Sequence, residues 1–308
     1  MIFSEFCDYV AEHVTKLMGE DYTYSVMNVN KNNGLKLTGL TVRKAGCSIS
    51  PTFYLEDYYK QYREGTSLSD IIANLVKGFE LYSVEGEPDL DFLNDYDRIS
   101  GKVMFKVVNY ERNEEFLKTV PFKRFIDLAI VFYIRIDTGA FSTGSVVITN
   151  EMLKRWNTDA ERLYEDAYTN TREKLGIRLE NIEAVLDEFM KKSGISEDEY
   201  ERLMPDRSCE YNIPMYVLSN DSRYFGASCM LYDEVLDDFS HKMGSDLFIL
   251  PSSVHELIII PDINHEDPDH LIDIVRDVNV TQLEPVEILS DNIYRYSLNE
   301  GCLEGLFA

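Results

Sequence analysis

The segment DLFILPSSVHELIIIPD, residues 246–262, holds two short apolar runs, Leu247–Leu250 and Glu256–Ile260, on either side of Pro251-Ser252-Ser253. Runs of four or five β-branched and large aliphatic residues bounded by proline and serine suit strands, with the serines bonding local backbone and ending the pairing. Outward from this pair, Met215–Leu218, Ala227–Leu231 and Tyr294–Tyr296 read as further strands, with Tyr232–Met243 and Pro268–Val278 as helices. The order β-β-α-β-β-α-β predicts a mixed α+β arrangement, with helices on one side of a largely antiparallel sheet.

The N-terminal half repeats the theme. Phe3, Phe6, Val10, Val14 and Leu17 recur at helical spacing and Gly19 is placed to stop the helix. Tyr22–Val29, Leu35–Arg43 and Cys47–Ile49 read as strands of a small antiparallel sheet. Two helices follow, one ending at Gly65 and one over Leu68–Phe79 with Ser67 or Ser69 as its cap. Val103–Val108, Leu128–Ile136 and Val146–Ile148 are strand-like, and the second is apolar at consecutive positions, as in a strand covered on both faces. Thr158–Glu161 and Ser196–Glu199 match capping boxes, so residues 150–204 are expected to be mostly helical.

Charge divides the chain. The 308 residues carry 55 acidic and 30 basic side chains, a net of -25, and 44% of them are hydrophobic. Such a chain can bury a core, so it is not a disordered acidic tail. Residues 206–308 hold 20 acids and 5 bases, a net of -15. The shift predicts two lobes, an N-terminal α+β domain over 1–205 and an acidic α+β domain over 206–308. A charge this negative repels the phosphate backbone, which excludes general nucleic-acid binding and favours a basic protein surface as partner. The acids Asp233, Glu234, Asp237 and Asp238, paired at i,i+4 on one helix, are the expected interaction residues. Five cysteines without a CxxC pair fit a reduced compartment. The acidic N-terminus does not fit a signal peptide and no apolar run is long enough for a bilayer, so a cytoplasmic location is expected.

Three segments carry a resemblance: TNEMLKRWNTDAERLYEDAYTNT at 149–171, MYVLSNDSRYFGASCMLYDEVLDDF at 215–239 and DLFILPSSVHELIIIPD at 246–262, with YLEDYYKQYREG at 54–65 in support. They resemble an uncharacterised bacterial domain-of-unknown-function family common in gut anaerobes, over nearly the whole chain. The resemblance implies a soluble bacterial protein and brings no catalytic residue or cofactor with it.

Two constellations could carry chemistry. Cys229 or Ser228 with His255 and Glu256 supplies a nucleophile, a base and an orienting carboxylate, the set a hydrolase needs. Cys229, however, lies inside an apolar run, where a thiol is more often inert. Four of the five histidines fall within residues 241–270, and His265, Asp267 and His270 form the densest cluster of metal-binding types. There is no HExxH, and Asp267 before Pro268 also reads as a helix cap. Asp137-Thr138-Gly139 occurs once and reads as a loop; Gly-rich phosphate cradles are absent from the sequence, and no cofactor is expected. Tyr58, Tyr59, Tyr62 and Trp156 read as packing residues. The reading that follows is a non-enzymatic acidic interaction module, in its narrower form a nucleic-acid mimic, with a hydrolase using Cys229/His255 or a metal near His265/His270 as the alternative.

Overall fold

The computed structural model describes residues 1–47, 50–82, 91–137, 143–193 and 213–307. The fold is α+β, and every strand pairing in its three sheets is antiparallel. The chain forms two compact units, one within Met1–Asp95 and one built from Tyr96–Asp137 and Thr143–Ala308.

In the first unit, helix α1 (Phe3–Met18) turns Phe6, Cys7, Val10, Ala11 and Val14 inward and stops at Gly19, whose φ of 115° a side chain would resist. Strands β1 (Tyr22–Asn30) and β2 (Lys36–Lys44) pair from Tyr22↔Lys44 to Asn30↔Lys36. The third strand, β3 (Thr52–Tyr54), is not the expected Cys47–Ile49, of which residues 48–49 lie outside the described residues. It pairs with the middle of β2, Leu40 opposite Phe53. Helices α2 (Leu55–Arg63) and α3 (Leu68–Tyr82) close the unit, and Ser67 accepts the Asp70 N–H at 3.1 Å as the cap of α3. Phe6, Leu40, Leu55, Ile71, Leu75 and Phe79 form the core, with Tyr59 and Tyr62 packed at 5.3 and 5.5 Å from the Phe6 ring.

The second unit carries two sheets. After α4 (Tyr96–Ile99), strand β4 (Val103–Asn109), α5 (Glu114–Leu117), β5 (Phe122–Phe125), β6 (Leu128–Asp137) and β7 (Thr143–Val147) make a four-stranded sheet. Its long strand β6 takes β4 on one edge and β5 and β7 in succession on the other, and its consecutive residues Leu128–Ile134 are all buried. Helices α6 (Asn150–Trp156) and α7 (Ala160–Leu175) follow. The cap of α7 is Asp159, which accepts the Arg162 N–H at 2.9 Å, rather than the expected Thr158. Trp156 packs against Tyr96 at 5.7 Å.

Strand β8 (Arg178–Asn181), inside the stretch expected to be helical, precedes α8 (Ile182–Ser193) and joins a six-stranded sheet. The other strands are β9 (Tyr216–Ser219), β10 (Leu247–Pro251), β11 (Leu257–Pro261), β12 (Ile293–Ser297) and β13 (Cys302–Leu306), in the order β13-β12-β10-β11-β9-β8. Helix α9 (Asp233–Met243) sets Phe239 against Tyr216 on one face, and α10 (Pro268–Thr281) packs Leu271, Ile272 and Val275 against Phe248, Leu250 and Ile293 on the other. Helices thus cover both faces, not one, and the entirely buried β10 is the consequence. Residues 227–231, expected as a strand, are a 3-10 helix over Gly226–Leu231.

Residue 205, where two lobes were expected to meet, lies outside the described residues, as does the second capping box at 196–199. One sheet runs across that position, because Leu179 on β8 pairs with Leu218 on β9. The Tyr232 ring also packs on Phe105 and Tyr168, at 6.1 and 5.0 Å. A division between compact units falls after Asp95.

Candidate functional site

His255 lies between β10 and β11 and is held by the loop Asn220–Phe225. Asn220 is buried; its Oδ1 accepts from the Ser222 hydroxyl at 2.7 Å, and its Nδ2 donates to the Tyr224 carbonyl at 2.9 Å. Arg223 and Phe225 stand at φ 50° and 55°, left-handed positions that side chains rarely take. At Gly226 an added Cβ would lie 2.6 Å from the His255 carbonyl and 2.8 Å from the Asn220 nitrogen, so only glycine allows this approach. The loop fixes the imidazole: Nδ1 accepts the Phe225 N–H at 3.1 Å, and the ring stacks on Phe225 at 5.7 Å. The acceptor role of Nδ1 places the proton of the neutral ring on Nε2, which sits 3.9 Å from Glu287. Burial holds the His255 pKa below the usual imidazole range; Glu287 and Glu256 oppose the shift, and Lys106 adds to it.

Cys229 faces elsewhere. Its thiol donates to the Ser219 carbonyl at 3.3 Å, it is 2% exposed, and burial, helped by Asp221, pushes its pKa up to about 12. Ser228, also buried, spends its hydroxyl on the Phe225 carbonyl at 2.7 Å. The carboxylate beside the imidazole edge is Glu287 rather than Glu256. Of the proposed triad, then, the imidazole is placed, while the thiol and hydroxyl bond backbone carbonyls.

Around His265 the sequence builds a helix start. Asp267 caps α10 by accepting the Asp269 N–H at 3.1 Å, and Pro268 opens the first turn. His265, at φ 55°, and His270 are exposed. Among the described residues, no three His, Cys, Asp or Glu side chains are grouped to hold a metal ion.

The four acids of α9 separate into two kinds. Glu234 pairs with Arg172, and Asp237 accepts the Tyr296 hydroxyl at 3.0 Å; Asp233 and Asp238 are exposed. A second acidic face, on α10, went unread in the sequence. Asp269, Asp273 and Asp277, one turn apart, are exposed beside a row formed by His270, Ile274 and Val278. The helix buries Leu271, Ile272 and Val275, so these two rows are its open side.

The sequence also gave no sign of a polar cavity of about 370 Å³ beside the β5–β6 turn, lined by Arg112, Arg124, Arg276, Asp127, Asp291 and Asn292 among others. Its residues come from five separate stretches of chain and form no motif. Asp127 is a hub: one oxygen accepts from Ser290 at 2.6 Å and Asn292 at 3.0 Å, the other from the buried Tyr294 hydroxyl at 2.8 Å. Asp291 pairs with Arg112 and accepts from Asn279 at 2.9 Å. Arg124 donates through Nε to the Ile126 carbonyl at 3.2 Å and lies 4.2 Å over the Tyr110 ring.

Among the described residues no helix is long and apolar enough to cross a membrane. No curated protein and no solved structure matches the chain. The model of DUF5688, a family of unknown function, matches residues 3–298, and a match across almost the entire length places this chain in that family.

Proposed function

We propose that this chain is a non-enzymatic interaction protein that engages a basic partner through the acidic surface of its second unit. The observation that carries this reading is the open side of α10, where Asp269, Asp273 and Asp277 run parallel to Ile274 and Val278. Ile274 is 42% and Val278 37% exposed, and Val280 is more exposed still, while Leu271, Ile272 and Val275 of the same helix are buried. A basic segment with apolar side chains on one face would meet carboxylates with cations and cover the aliphatic row; charge steers the encounter and apolar burial holds it. A nucleic-acid mimic is the narrower form of the same idea, and the aliphatic row argues for a partner that also contributes apolar contact. The Cys229/His255 form of the hydrolase alternative would need a Cys229 thiolate, which burial disfavours at neutral pH.

The test is capture from a bacterial lysate by wild type, by Asp273→Lys/Asp277→Lys and by a matched Asp8→Lys/Glu12→Lys control on α1. A specific partner is captured by wild type and by the control, is lost with the α10 variant, and weakens with salt as the Debye length falls below about 8 Å. Equal capture by all three proteins would remove α10 from the interface.

A further inference from the structure

We propose that strand β1 of the first unit pairs antiparallel with β1 of a second copy of this chain, joining two three-stranded sheets into one. The sheet runs β1-β2-β3, so β1 and β3 are its edges. Strand β3, of three residues, is too short to offer much. Strand β1 has nine, with no charge, proline or glycine among them, and its register on β2 is unbroken from Tyr22 to Asn30. Exposed edges are ordinarily blunted by a charge, a proline, a bulge or shortness, and β1 has none of these.

The phase of the β1–β2 ladder shows which groups face outward. The Lys31 N–H donates to the Leu35 carbonyl and the Ala45 N–H to the Asp21 carbonyl, each at 2.7 Å. The odd-numbered residues of β1 therefore bond to β2, and the N–H and C=O of Tyr24, Val26 and Asn28 point away from it. Among the described residues these groups have no backbone partner. Asn28 is exposed, and Tyr24 and Met27 are 49% and 51% exposed, apolar surface that an added strand would cover.

Charge points to a second copy as the occupant. In a chain of net charge -25 most contacts between copies set carboxylates against one another, yet residues 22–55 hold Lys31, Lys36, Arg43, Lys44 and no acid. A two-fold axis at Val26, the middle residue of β1, overlaps the two strands completely and sets Tyr24 against the partner's Asn28, each such pair exchanging two hydrogen bonds. The same axis sets Lys31 against the partner's Asp21, one position beyond each end of the strand. Among the described residues neither side chain has an ion pair within its own chain; the Lys31 ammonium lies 4.0 Å over the Tyr54 ring. Opposite charges directly across the strands fix the register, while backbone bonds and the cover of Tyr24 and Met27 hold the pair. A foreign strand could meet the backbone row, but the second copy also brings Asp21 and Lys31 into this alignment. The proposal does not depend on the acidic face of α10.

Sedimentation equilibrium of the full chain tests the proposal, with circular dichroism to check that each variant keeps its fold. Wild type is expected to form a reversible dimer. Asn28→Pro removes an outward N–H and leaves the ladder to β2 intact, the placement at which an edge strand tolerates proline, and should weaken the dimer by about tenfold or more. Lys31→Asp and Asp21→Lys should each weaken it by about tenfold, because like charges then stand opposite one another at both ends, and the double variant Lys31→Asp/Asp21→Lys should recover the wild-type affinity. A chain that stays monomeric would leave the edge to a foreign strand and overturn the proposal. So would a dimer as tight in Asn28→Pro as in wild type, or a double variant no tighter than the single ones.

Discussion

At Gly226 a single methyl group decides whether the loop at His255 can close. Its Cβ would meet two backbone atoms inside 3 Å, which a flexible side chain could not relieve by moving aside. Gly226→Ala is expected to cost about 2 kcal/mol or more, read from the midpoint of urea unfolding. The neighbouring Cys229 should react slowly with iodoacetamide in the folded protein and at the rate of a free thiol once unfolded, since the thiol is buried and its pKa is raised. Rapid alkylation of the native protein at Cys229, suppressed by His255→Asn, would restore the hydrolase reading. His255 also gives a pH signature. Its folded pKa is depressed, so between that value and the unfolded value of about 6.5 the unfolded state binds more protons, and stability falls as pH drops through this window. Wild type should therefore lose more stability than His255→Asn between about pH 7.5 and pH 5.5 in thermal melts.

At the scale of elements, the β5–β6 hairpin is clamped from the far end of the chain. Phe125 pairs with Leu128, leaving Ile126 and Asp127 as a two-residue turn, and Ser290, Asn292 and Tyr294 all donate to Asp127. Tyr294→Phe removes a buried donor from the Asp127 carboxylate, and is expected to cost about 1–3 kcal/mol in chemical denaturation. A loss within 0.5 kcal/mol would mean that water replaces the hydroxyl there. Helix α9 shows how neighbours sort like residues: Asp233 and Asp238 face solvent, while Glu234 and Asp237 are engaged with Arg172 and Tyr296. Helical spacing placed these acids on the surface side, but their partners come from α7 and β12, beyond the reach of any local pattern.

At the scale of the molecule, the compact units make a cutting experiment decisive. The core around Phe6, Leu40 and Leu75 draws every residue from within Met1–Phe79. A fragment of residues 1–95 should thus unfold cooperatively alone, as should 96–308. A fragment of 206–308 should not: it loses β8 from the edge of its sheet and strips Tyr232 of Phe105 and Tyr168. Circular dichroism melts of the three fragments check this, and a cooperative transition in 206–308 would restore a division near 205. Charge density shifted there because the later residues are acidic, and composition carries no information about which strands pair.

The sequence by itself determined the elements with strong local signals. The helices α1, α3, α9 and α10 follow apolar spacing and caps, and the strands β1, β2, β4, β6, β10 and β11 follow β-branched runs with turn residues between them. The α+β class follows from their order. Tertiary structure decided the rest. Strands β5, β8 and β13, of four or five residues, are too short and polar to announce themselves and exist because a neighbouring edge offers hydrogen bonds. The run Ala227–Leu231 became a 3-10 helix because a short apolar segment is equally content in either form, and the left-handed entry at Phe225 selects the turn. The arginine-lined cavity was invisible for the same reason: its walls run from Asn109 to Phe307, and only the tertiary fold brings these distant stretches to one place.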